Sequence, residues 1–126
     1  MTTSGRDRRW AGVTISAFSS LSLDPPLVLF CIGKRSSNLD VWLEASHFSV
    51  NVLSEAQQAL SELFASQAAD KFDAVPGSTG NNGCFRIDGA LVTIECRRTA
   101  LHDEGDHYIV VGFVEQVVPG NDGGPL

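Results

Sequence analysis

Ser16, Ser19, Ser20 and Ser22 crowd the stretch Val13 to Cys31, VTISAFSSLSLDPPLVLFC. Small hydroxyls beside accessible backbone amides suit a heteroaromatic or phosphorylated ligand better than a packed core. The same serines would also serve a loop that satisfies its own backbone. Gly33-Lys34-Arg35-Ser36-Ser37-Asn38 follows, a basic, hydroxyl-rich turn at the start of a short helix. Free amides, two hydroxyls and two cations make it a natural place for a phosphate; plain helix capping beside solvated Lys34 and Arg35 is the other reading. His107, after Gly105-Asp106, stands where a turn becomes an apolar strand, placed to orient a substrate or donate a hydrogen bond at a pocket mouth. As a turn histidine it could equally be an exposed surface residue. His102, Asp103, Glu104, Asp106 and His107 are metal-ligand types, but in one tight turn their side chains splay outward, which argues against a metal centre. There is no GxSxG elbow, and no cysteine has a histidine beside it, so nucleophilic catalysis has no support.

These residues need elements to hold them. Val13, Ile15 and Ala17 alternate with Thr14, Ser16 and Phe18 as in a strand, which runs into the polar serine bend and Asp24-Pro25-Pro26. Leu27 to Ile32 predicts a nearly all-apolar strand. Before them, Thr2-Thr3 looks like a strand end entering a turn, with the returning strand beginning near Trp10. Ser37 is placed to cap a two-turn helix carrying Leu39, Trp42 and Leu43, with Asp40 in the capping-box position. His47 to Leu53 alternates as a strand with Phe48, Val50 and Val52 on one face. Ser54 and Gln57 form a capping box for a helix over Glu55 to Gln67, whose buried stripe is Leu53, Ala56, Leu60, Leu63 and Phe64. Residues 68–83 are expected to be a long loop, in which Lys71-Phe72 is the one pair able to reach a ligand. Ala90 to Arg98 reads as a strand with Val92, Ile94 and Cys96 inward and Thr93, Glu95 and Arg97 outward. A turn at Asp103 to Asp106 joins it to a strand over His107 to Val118 that is apolar on both faces. About six strands and two helices, mostly linked as hairpins, predict a mainly β fold, a barrel with helical decoration. A doubly wound nucleotide fold is not expected, because strands and helices do not alternate and no GxGxxG follows a strand.

At 126 residues with 43% hydrophobic residues, the chain has the size of one domain, residues 1–126, with a real core. Its net charge of −6 argues against a nucleic-acid or anionic-membrane partner while leaving room for a small, locally held anion. Three cysteines without a CxxC pair suggest neither a disulfide framework nor a zinc site. A reduced, cytoplasmic protein is expected. Residues 1–12 are polar and basic, unlike a secretory signal, and no apolar run approaches the length of a membrane span.

The runs WAGVTISAFSSLSLDPPLVLFCIGKRSSNL, HFSVNVL and DGALVTIECRRTALHDEGDHYIVVGFVEQV together resemble the flavin reductase-like family of FMN-binding split barrels, which includes the reductase components of two-component flavin monooxygenases. The likeness spans nearly the whole chain in order, and the serine bend with DPP and the GDH before a valine-rich strand are its most specific parts. The resemblance implies a split β-barrel with two short helices, usually a homodimer. It implies an oxidoreductase that binds FMN or FAD and reduces it with NADH or NADPH, supplying a partner monooxygenase. Thr14, Ser16, Ala17, Phe18, Ser19 and Ser20 would contact the isoalloxazine ring and ribityl chain. Lys34, Ser36, Ser37 and Asn38 would hold the phosphate, and His107 would lie near the nicotinamide. The family pattern further implies a helix and a strand before Met1 and more sequence after Leu126, so the chain is expected to be incomplete at both ends. A non-catalytic flavin- or haem-binding split barrel, and a cofactor-free interaction protein, are the alternatives. Hydride transfer between two rings needs no protein nucleophile, so the lack of a triad is expected of a flavin reductase.

Overall fold

The computed structural model describes residues 2–4, 10–12, 18–36, 39–65 and 75–120. Its strands are β1 (Thr2–Ser4), β2 (Trp10–Gly12), β3 (Phe18–Leu23), β4 (Pro26–Gly33), β5 (His47–Val52), β6 (Gly77–Thr79), β7 (Phe85–Ile87), β8 (Val92–Glu104) and β9 (His107–Pro119). Two short helices, α1 (Leu39–Glu44) and α2 (Gln58–Ala65), complete it. Seven strands form one sheet in the order β2-β1-β5-β8-β9-β4-β3, and β6 and β7 form a separate hairpin. The fold is mainly β, a split barrel, as expected. The N-terminal hairpin is present, with β1 pairing antiparallel to β2.

Alternation explains which face of each strand is buried. In β4, Val28, Phe30 and Ile32 are buried, while Leu27, Leu29 and Cys31 are only partly so. These three meet Val41 and Trp42 of α1, Phe48 and Val50 of β5, Cys96 of β8 and Val110 of β9 in one core. Phe30 is its centre, with its ring centroid 5.7 Å from that of Trp42 and 5.0 Å from that of Phe48, both edge-on. Each such fully buried side chain contributes about 1.5–3 kcal/mol of transfer free energy. Burial also pushes the Cys96 thiol up to about 12, so it behaves as an apolar filler. Cys31, Cys84 and Cys96 are all free thiols. Val110 and its neighbour Val111 are both buried, as a strand covered on both faces requires.

Four expectations are corrected. First, residues 18–23 are not a bend but the edge strand β3, paired with β4 from Phe18↔Phe30 to Leu23↔Pro26, with a register shift between Ser20 and Ser22. An edge strand takes its ladder from one neighbour, so it tolerates serines that a central strand would not. Second, the expected loop 68–83 contains β6, whose Gly77, Ser78 and Thr79 pair with Ile87, Arg86 and Phe85 of β7. Gly77 has no room for a side chain, since a Cβ there would lie 2.4 Å from the Phe85 ring. Third, Thr93 and Glu95 do not point to solvent; they are 3% and 1% exposed. The β6–β7 hairpin lies over that face. Fourth, Ala56 is exposed, and the apolar faces of Leu53, Leu60, Leu63 and Phe64 pack with Val75, Phe85 and Ile87 without it. The capping contact is present at the start of that helical segment, where Gln57 Oε1 accepts from the Ser54 amide at 3.0 Å. Residues 55–57 form a 3₁₀ turn leading into α2, which ends at Ala65. Lys71 and Phe72 lie outside the described residues.

Candidate functional site

The site begins with the β8–β9 hairpin. Its two-residue turn, Gly105-Asp106, uses a left-handed Gly105 (φ +66°), which brings Glu104 opposite His107. β9 then pairs antiparallel with β4, and the ladder ends with His107 opposite Gly33. The last residue of one strand and the first of the other therefore meet at one end of the sheet. The chain turns there, with the Lys34 amide donating to the Asp106 carbonyl at 2.9 Å and the Ser36 amide to the Gly33 carbonyl at 3.0 Å. The far side of this segment is held by α1, whose Leu43 carbonyl accepts from Arg98 of β8 at 2.6 Å.

Two side chains, His107 and Ser36, face Gly33, and Lys34 follows it in the chain. A Cβ on Gly33 would lie 3.6 Å from His107 Nε2 and 3.9 Å from Ser36 Oγ, so the bare glycine leaves a small cradle facing both. Lys34 Nζ lies 2.5 Å from Asp103 Oδ1 and 5.0 Å from the Tyr108 ring centroid. The hydrogen bond to Asp103 holds the Lys34 ammonium above its ordinary range. His107 Nδ1 lies 2.8 Å from Asp106 Oδ1, and this bond holds the Asp106 carboxyl below the usual carboxylate range. An ionised carboxylate only accepts, so Nδ1 carries the proton and, in the neutral ring, Nε2 offers its lone pair to the cradle.

Of the residues singled out in the sequence, Ser36 and His107 are brought together over Gly33, while the Lys34 side chain engages Asp103 and Tyr108 beside them. Phe18, Ser19 and Ser20 lie on β3, opposite Phe30, Leu29 and Val28. At roughly 3.3 Å per residue, Phe18 stands about 10 Å along β4 from Gly33, and Ser19 and Ser20 farther. All three are exposed. Thr14, Ser16, Ala17, Ser37 and Asn38 lie outside the described residues. Gly33, the first residue of the basic turn, Asp103 of the acidic hairpin set and Tyr108 join this constellation by geometry. Only the register that sets β4 against β9 reveals them.

A second cleft, of about 290 Å³, is lined by His47, Asn81, Asn82, Glu95, Glu115 and Gln116. Its polar groups are largely engaged with one another. Asn82 donates to the Phe48 carbonyl at 3.1 Å and accepts from the Cys84 amide at 3.2 Å, and Asn81 donates to Gln116 at 2.6 Å. Two carboxylates and no lysine or arginine among its lining residues make it a poor host for a phosphate. Among the described residues no cluster of histidine, cysteine and carboxylate side chains could hold a metal ion, and no described helix is long and apolar enough to cross a membrane.

Residues 1–126 match the model of the flavin reductase like domain. The chain is 44% identical over 115 residues to the FMN reductase (NADH) SmoA of Agrobacterium fabrum, covering 91% of this chain and 65% of that protein. It is 43% identical over 115 residues to the reductase component of 4-hydroxyphenylacetate 3-monooxygenase from Thermus thermophilus, covering 91% of this chain and 72% of that one. The solved structure of the Streptomyces globisporus NADH:FAD oxidoreductase SgcE6 in complex with NAD and FAD fragments superposes with a TM-score of 0.86 at 34% identity, covering 94% of this chain and 71% of that one. The chain thus spans roughly two thirds of the length of these proteins.

Proposed function

This chain belongs to the flavin reductase-like family, and from that membership we propose that it is an NAD(P)H:flavin oxidoreductase, taking hydride from NADH or NADPH to FMN or FAD. The observation that carries the reading is the meeting of Ser36 Oγ and His107 Nε2 at the bare face of Gly33, with the Lys34 ammonium on the neighbouring hairpin end against Asp103 and Tyr108. A cation and a hydroxyl suit a phosphate ester. A ring nitrogen with a free lone pair suits an amide N–H, such as that of the nicotinamide carboxamide.

The residues present fit a flavin. The cradle over Gly33 admits a ligand atom where a side chain would otherwise sit. Lys34 and Ser36 would hold its phosphate, with Ser37 and Asn38 beside them in sequence. Phe18, Ser19 and Ser20 on the exposed edge strand, with Thr14, Ser16 and Ala17 before them in sequence, would line the ring and ribityl chain. The bound flavin supplies the hydride acceptor; the chain's own contribution is positioning. His107 orients the nicotinamide, Asp106 fixes the His107 ring, and the apolar wall of β4 and β9 keeps water from one side.

We further infer that residues 1–126 act as a single domain, as a cytoplasmic homodimer that passes reduced flavin to a partner monooxygenase. Leu21 and Leu23 support the dimer, since they stand 50% and 89% exposed on an edge strand. The test is the oxidation of NADH and NADPH with FMN, FAD or riboflavin added. Flavin-dependent oxidation is expected, and none with any pairing from folded full-length protein would rule the reading out. His107→Ala should raise KM for the nicotinamide several-fold while shifting the flavin Kd by less; equal losses would remove His107 from the nicotinamide side.

A further inference from the structure

Lys34 does not wait for its anion as a bare cation. Its ammonium is already paired with Asp103 Oδ1 at 2.5 Å, while its own amide ties it to the Asp106 carbonyl at 2.9 Å. Asp103 comes from the other side of the hairpin, opposite Tyr108 in the β8–β9 ladder, so the two strands present a carboxylate and an aromatic face to one ammonium. Lys34 and Asp103 remain 35% and 64% exposed, which leaves the pair open to exchange with a ligand.

We propose that Asp103 is a specificity-determining residue that acts through Lys34 to weaken the hold on the flavin phosphate, narrowing the difference in affinity between phosphorylated and unphosphorylated flavins. The proposal rests on the reading that Lys34 meets the flavin phosphate. A phosphate arriving at Lys34 must either displace Asp103, which breaks an existing ion pair, or share the ammonium with it, which sets like charges side by side. Either route lowers the gain that a free lysine would give. Riboflavin lacks the phosphate and meets neither cost. An enzyme that must release its flavin to another protein benefits from such a compromise, because binding that is uniformly tight slows release.

The experiment measures Kd for FMN and for riboflavin by fluorescence titration of the full chain, in wild type, Asp103→Asn, Lys34→Met and the double variant. Asp103→Asn is expected to raise the ratio of the riboflavin Kd to the FMN Kd by about two- to fivefold at low salt, the scale of an exposed ion pair. The gain should shrink at high salt and vanish in the Lys34→Met background. An unchanged or lower ratio overturns the proposal, as does a gain that survives Lys34→Met, since Asp103 would then not act through Lys34. A gain in NADH affinity without one for FMN also overturns it. Wild-type protein that oxidises NADH with riboflavin yet shows no Asp103→Asn effect refutes this inference alone. Failure of the wild type to use any flavin refutes the reading beneath it. Asn is isosteric, and position 103 is at an exposed hairpin end, so loss of fold does not obscure the result.

Discussion

Arg86–Glu95 and Lys34–Asp103 are ion pairs of like length and opposite fate. The first measures 2.7 Å with Glu95 only 2% exposed; the second measures 2.5 Å with both partners open to water. Arg86 reaches Glu95 from the β6–β7 hairpin, across the face of the sheet where Asn51 Oδ1 accepts from the Ile87 amide and from Thr93 Oγ1, each at 3.1 Å. That pair is part of a sealed polar layer that fastens the hairpin to β5 and β8. Lys34–Asp103 instead bridges a turn and a hairpin tip at the mouth of the candidate site. A buried charge cannot exchange its partner without stranding the other, whereas an exposed one exchanges at little cost. A cation–carboxylate pair therefore serves as a fastener in one place, with a guanidinium, and as an adjustable contact in the other, with an ammonium.

The largest effect that separates them is on stability. Arg86→Met should leave Glu95 buried without its partner and lower the unfolding free energy by about 3 kcal/mol, the low end for a broken buried pair, since Arg86 itself is 29% exposed. Lys34→Met should cost far less, because water screens that exposed pair. Urea unfolding of both variants checks the contrast, and equal losses would abolish it. Next in size is Gly80→Ala. A Cβ there would lie 2.6 Å from Glu95 Oε2 and 3.4 Å from the Cys84 carbonyl, so either the carboxylate or the hairpin must move. A loss of about 1–3 kcal/mol is expected, the scale of overpacking. The loss should fall well below additivity when combined with Arg86→Met, because both changes act on one pair.

This contrast also explains what could be read in the sequence. β4, β5 and β9 are legible because alternation or an apolar run leaves one strand register, and α2 because Ser54 and Gln57 mark its approach. Lys34, Ser36 and His107 are legible because turn chemistry surrounds them. Glu95 is misread as outward because a charge in an alternating strand ordinarily faces water, and its partner Arg86 comes from a three-residue strand too short to declare itself. β8 extends to Glu104, beyond the expected Arg98, since its exposed end carries no alternation. Asp103 and Gly33 are invisible as partners of Lys34 and His107 for a different reason. Their proximity depends on which strands are neighbours in the sheet, and pairing between distant strands leaves no local mark.

The smallest effect probes the open side of the contrast directly. Asp106 is fully exposed, yet its carboxyl is held below the ordinary range, first by the hydrogen bond from the His107 ring, then by the charge of that ring. In His107→Ala that bond is gone, so the Asp106 pKa should rise toward the ordinary value of 3.8. The sign of the linkage follows from the depression. Asp106 adds stability above its unfolded pKa, and this is lost as pH falls through the lower folded value, so the part of the stability difference between wild type and variant that Asp106 carries should be present above about pH 4 and close as pH falls below it. Carboxyl carbon shifts followed by NMR through that range report the titration of Asp106 itself. An unchanged titration would mean that Asp106 does not hold His107 in solution. The lone pair of Nε2 would then have no fixed direction over Gly33, and the open pair at Lys34 would remain as the preset contact at the site mouth.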